Sequence, residues 1–155
     1  MSLGAADYPE FYRIEKTDMG ESILKYPTIP RNPFKTILLR EDATIPRIAV
    51  APSLLHCLAA TLGSGYWNGV LYKLADENVE VVKPFKPVPD AHLTKEHWIL
   101  QPAKFKRVGY FVVRGKLLTR PRDFHSWLNQ VKKILSAKVR EIAPNVWVVE
   151  EPTQQ

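Results

Sequence analysis

Thirteen prolines punctuate this chain of 155 residues, and six of them crowd into two stretches, Tyr26-Pro27-Thr28-Ile29-Pro30-Arg31-Asn32-Pro33 and Lys83-Pro84-Phe85-Lys86-Pro87-Val88-Pro89. Each proline fixes φ and removes a backbone donor, so both stretches read as extended surface loops between elements. Neither carries the Gly/Ser run of a flexible tether, and apolar flanks should dock each one on the body of the protein. Between the loops the chain is left with short apolar runs. Phe11 to Ile14 reads as a strand, Phe34 to Leu39 as a weak strand or extended loop, and Arg47 to Val50 as a strand that passes through Pro52 into a helix from Ser53 to Thr61. In that helix Leu54, Leu58 and Leu62 fall on one face with Leu55 and Ala59 beside them, and Gly63-Ser64-Gly65 stops it.

Val70 to Leu74, Val79 to Val82, Trp98 to Leu100, Phe105 to Val113 and Val146 to Val149 supply further strands. A second helix begins at Asp123, a capping residue. Phe124, Trp127, Leu128, Val131, Leu135, Val139 and Ile142 form its apolar face, Asn129, Lys132, Lys133 and Arg140 its polar face, and Pro144 ends it. Strands outnumber helices and few are joined by helical crossovers. The expected fold is therefore a single α+β domain over residues 1–155, with mainly antiparallel mixed sheets and two main helices.

With 45% hydrophobic residues the chain can bury a core without staples. A single cysteine, Cys57, excludes an intramolecular disulfide and a cysteine-based zinc cluster, which fits a reducing compartment. The first residues lack the basic and apolar pattern of a signal, and no window has the roughly 18 to 20 apolar residues of a membrane span. A cytoplasmic protein without a membrane partner is expected. The net charge of +6 and a pI near 9.5 favour acidic partners, nucleic acid included, although the basic residues are dispersed.

No GxGxxG and no GxxxxGK[ST] is present, which disfavours a Rossmann dinucleotide fold and a P-loop. His56, His92, His97 and His125 show no zinc-binding spacing, and no metal site is expected. Ser53 has no Gly-x-Ser-x-Gly elbow around it, and a serine after proline at a helix start is an N-cap in the simplest reading. Cys57, in the same helix, reads as a packing residue.

Three residues stand out by their place in the element order: Arg13 on the first strand, Ser53 where a middle strand meets a helix, and Glu96 opening a late strand. This Arg-Ser-Glu arrangement resembles the ADP-ribosyltransferase-like superfamily, over roughly residues 11–113. The resemblance implies an ADP-ribosyltransferase-like core over about residues 7–113, with a C-terminal helix and strand (114–150) packed on it. It implies an NAD-binding cleft in which Arg13 holds a phosphate or ribose, Ser53 bonds the nicotinamide ribose, and Glu96 orients the ribose 2′-OH and steadies an oxocarbenium-like transition state. Tyr12, Tyr66, Trp67 and Trp98 are the aromatic candidates for stacking on a nicotinamide or adenine ring. The family's Ser-Thr-Ser run stands here as Ala51-Pro52-Ser53, and Thr94 occupies the place of an acidic or Gln residue, which weighs against transfer to protein arginine.

The run from Val88 to Leu100 also resembles bacteriophage and prophage proteins, which implies a factor acting on a host macromolecule. The alternative expectation is a noncatalytic phage accessory protein that binds nucleic acid or a host protein through Lys132, Lys133, Arg140 and the Gly65-Tyr66-Trp67 loop.

Overall fold

The computed structural model describes residues 8–30, 38–62, 64–115, 117 and 121–152. In chain order the elements are β1 (Tyr12–Glu15), β2 (Ser22–Lys25), β3 (Ile48–Val50), α1 (Leu54–Ala60), β4 (Asn68–Leu74), α2 (Ala91–Thr94), β5 (His97–Ile99), β6 (Ala103–Val113), α3 (Phe124–Leu135), β7 (Lys138–Ala143) and β8 (Val146–Glu150). The fold is α+β, with mixed but mostly antiparallel sheets.

β6 organises the larger sheet. One of its edges pairs antiparallel with β4, and β1 then pairs with the far side of β4. The other edge is shared: its first half pairs antiparallel with β2, its last part runs parallel to β8, and β7 closes the outer side of β8. β3 and β5 form a separate two-stranded sheet.

A one-residue register shift lets β6 serve two cores. Tyr72 faces Arg107 and Leu71 faces Gly109, so Val108 is an extra residue on β6 and the side-chain alternation inverts there. Before the bulge Ala103 and Phe105 join Val70 and Tyr72 against Ile48, Val50 and Ile99 of the small sheet. Beyond it Phe111 and Val113 join Ile14 and Leu71 against Leu54, Cys57 and Leu58 of α1 and Trp127, Val131 and Ile134 of α3. Gly109 sits where a Cβ would strike the Asn145 carbonyl and the Trp147 ring, so its missing side chain is what lets the β7–β8 turn lie on β6.

Both longer helices start as their sequences require. The Ser53 hydroxyl accepts the His56 backbone N–H at 3.2 Å, and Asp123 and Ser126 cap each other reciprocally. α2 is tied to α3 by Trp127, whose Nε1 donates to the buried Asp90 carboxylate at 3.0 Å.

Two expectations need correction. The second helix does not reach Ile142: it ends at Leu135, and residues 138–143 form β7, which places Val139, Arg140 and Ile142 on an exposed edge strand. Apolar spacing of three and four residues continues by coincidence through that strand. Pairing with β8 prevails over it, since β8 buries Val148 and Val149 completely and would otherwise leave an open edge. Val79 to Val82 is not a strand; only Val82 makes an isolated bridge, to Trp98. β2 and the one-turn α2 were not anticipated. Of Phe34 to Leu39, residues 34–37 lie outside the described residues, and Leu38 and Leu39 are not in a strand; Gly63 of the helix stop also lies outside the described residues. Among the described residues no helix is long and apolar enough to cross a membrane.

Candidate functional site

β1 and β3 lie side by side through a bridge between Tyr12 and Ala51, and the Arg13 guanidinium reaches across to donate to the Ala49 carbonyl at 3.0 Å. Its Nε lies 3.3 Å from Glu15 Oε1, which also receives Lys25 Nζ at 2.7 Å. Two cations therefore share one buried carboxylate, and the guanidinium is held at a fixed position. Next to it opens a cavity of about 370 Å³, bounded by Arg13, Lys16, Arg47, Thr61, Tyr66 and Glu96, among others. A smaller recess of about 100 Å³ shares Arg13, Thr61, Tyr66 and Glu96 and extends toward Ile14, Val50 and Cys57.

Glu96 enters this cavity by way of α2. Lys95 takes a left-handed conformation (φ 57°), which ends α2, and the Thr94 hydroxyl accepts the Glu96 backbone N–H at 3.3 Å. The carboxylate is buried, and its Oε2 accepts Trp98 Nε1–H at 2.9 Å. Arg47 lies over the Trp98 indole at 4.1 Å from its centroid. That guanidinium is itself buried, 3.8 Å from Glu41 and 3.4 Å from Asp42, and it donates to the Asp42 carbonyl at 2.6 Å. A chain of contacts thus runs Arg47, Trp98, Glu96, with both of its ends at the cavity.

The sequence candidates separate into two groups. Arg13, Glu96 and Tyr66 share the cavity. Ser53 is not among the residues that line it. Its hydroxyl is engaged in capping α1 and lies 2.7 Å from His56 Nδ1. Burial, with some help from Lys95, keeps that imidazole less basic than usual.

The aromatic candidates divide likewise. Trp98 has no exposed surface, so it backs Glu96 instead of offering a face to a ligand. Tyr12 turns its hydroxyl to Glu10 at 2.6 Å, a bond that pushes its pKa up to about 12. Trp67 is half exposed and does not line the cavity. Tyr66 does line it, with Lys16 Nζ 5.2 Å from its ring centroid, and burial raises its pKa. Cys57 is an inert neighbour: burial pushes its thiol up to about 12, and its Sγ–H points at the Tyr12 carbonyl 3.3 Å away.

Lys16, Arg47 and Glu41 were not anticipated as site residues. Arg47 stood in the apolar run before Ser53, where nothing marked it as a buried arginine stacked on a tryptophan far along the chain. Among the described residues no group of three or more His, Cys, Asp or Glu is gathered as a metal would require. No protein-family model, curated protein or solved structure matches this chain.

Proposed function

We propose that the cavity between Arg13 and Glu96 binds NAD or a related nucleotide, and that the chain is an ADP-ribosyltransferase-like protein of phage or prophage type. The observation that carries this reading is the convergence of a fixed guanidinium and a buried carboxylate, distant in sequence, on one concavity with a tyrosine ring in its wall. Its volume is within the roughly 300 to 1,000 Å³ of small-molecule sites. Arg13 and Lys16 would hold the anionic diphosphate, and Tyr66 would pack against a planar ring. Glu96, oriented by Trp98, would stand where positive charge develops on the ribose as the C1′–N bond breaks. Nicotinamide leaves with the bonding electron pair, and water or an acceptor nucleophile forms the new bond to C1′. Ser53, engaged as a cap, would support the strand-to-helix junction instead of touching the ribose.

The accessory nucleic-acid reading has less to rest on. Lys133 is paired with Glu151 at 3.0 Å, and Arg140, on β7, lies 3.4 Å from Glu150, so no continuous basic helix face remains.

The test is release of nicotinamide from NAD by the wild type and by Glu96→Gln. The variant keeps an oxygen to accept the Trp98 N–H, so its fold should persist while turnover falls on the order of 10²-fold or more. Equal turnover in both proteins, or none in the wild type, would overturn the catalytic reading.

A further inference from the structure

A second cavity, of about 320 Å³, is also lined by Glu96 and has a different chemistry. Lys83, Lys86, Lys95 and His92 contribute to its wall, with Glu96 as the one carboxylate there among the described residues. Four basic side chains from the second proline loop and from α2 thus face one concavity, which favours an anion.

His97, on the same wall, adds an independent observation. Its side chain is 3% exposed, and Nδ1 lies 2.7 Å from the Lys95 carbonyl oxygen. A carbonyl only accepts, so Nδ1 carries the proton and Nε2 of the neutral ring is an acceptor. Nε2 is shielded from water and has no hydrogen-bond partner among the described residues. Buried polar atoms are almost always satisfied, and one that is not points to a missing donor. The Phe11 ring packs on the imidazole at 4.8 Å between centroids, and the Tyr8 ring, which also lines the cavity, stands edge-on to it at 5.7 Å; binding as proposed below requires Tyr8 to turn aside so that a ligand group reaches Nε2.

We propose that this second cavity binds a small phosphorylated polyol, such as a sugar phosphate, with the lysines around the phosphate and a ligand hydroxyl donating to His97 Nε2. Phosphate supplies the charge that the lysines complement, and only a ligand that also bears hydroxyls supplies the donor that the imidazole lacks. The site shares Glu96 with the nucleotide cavity proposed above, but its lysines and His97 are not part of that cavity and the proposal does not depend on it.

The test is a titration of the full chain with glucose 6-phosphate, with glucose and inorganic phosphate as the other arms, followed by the His97 ring nitrogen resonances and by backbone amides. Glucose 6-phosphate should shift His97 Nε2 and the amides of Lys86 and Lys95, inorganic phosphate should shift the lysine amides but leave Nε2 in place, and glucose should do neither. Lys83→Ala/Lys86→Ala, which alters two exposed side chains and should leave the fold intact, should weaken the sugar phosphate by roughly tenfold or more. Unmoved His97 resonances, shifts confined to the surroundings of Arg13 and Tyr66, or equal binding by the double variant would each overturn the proposal.

Discussion

Two clusters in this protein are built from the same parts, a carboxylate, an arginine and an aromatic ring, and differ in their access to water. In the first, Arg47 stacks on Trp98, whose indole N–H holds Glu96, and all three side chains are buried. In the second, Arg107 and the Tyr110 hydroxyl both donate to Asp18, at 2.8 and 2.6 Å, with the arginine and the aspartate 29% and 39% exposed. The exposed cluster pins the turn between β1 and β2 to β6 and does little more. Burial is what makes the first cluster a candidate for chemistry, because a carboxylate held out of water by a fixed donor keeps its orientation and acts through a low dielectric.

Substitutions should reveal the contrast. Arg47→Met has the largest expected effect: it leaves Glu41 and Asp42 without a buried guanidinium and should cost about 3–5 kcal/mol in denaturant unfolding. A loss no greater than that of a surface ion pair would show that this cluster is not the rigid element described. Trp98→Phe comes next, since it removes the donor to Glu96 Oε2 while keeping most of the apolar bulk. Its cost should be about 1–3 kcal/mol. NAD turnover should fall with it, and unaltered turnover would separate Trp98 from the positioning of Glu96.

Asp18→Asn should have the smallest effect, and its pH dependence is distinctive. The Tyr110 hydroxyl, then the Gly20 N–H and Arg107, hold the Asp18 pKa at about 2, below the usual value of about 3.9 for an unfolded chain. Its contribution to stability is complete above about pH 4 and is lost as pH falls through about 2. The wild type should melt slightly higher than the variant at pH 7, and thermal scans of the two should converge between pH 4 and pH 2. A constant difference across that range would mean that Asp18 acts through something other than its charge.

The parts of the fold that can be read in the sequence are those fixed by local rules. Ser53 and Asp123 mark helix starts because a short polar side chain meets unpaired N–H groups there, and β4, β6 and β8 are apolar runs in which burial and strand propensity agree. β7 was hidden because Val139 and Ile142 continue the helical spacing of α3 with no glycine or proline between. Only its pairing with β8, through a turn in which Asn145 takes a left-handed φ of 59°, identifies it as a strand. The site divides in the same way. Arg13 and Glu96 could be singled out by element order, whereas Trp98 holds a carboxylate and Arg47 lies buried because of contacts between distant residues, which no local pattern encodes.

The most direct measurement is amide chemical-shift mapping of the protein titrated with NAD. The account predicts saturable shifts that cluster on Arg13, Lys16, Thr61, Tyr66 and Glu96, and that are lost in Arg13→Gln. Shifts centred on Lys132 and Lys133 of α3, or a spectrum unmoved by millimolar NAD, would contradict it.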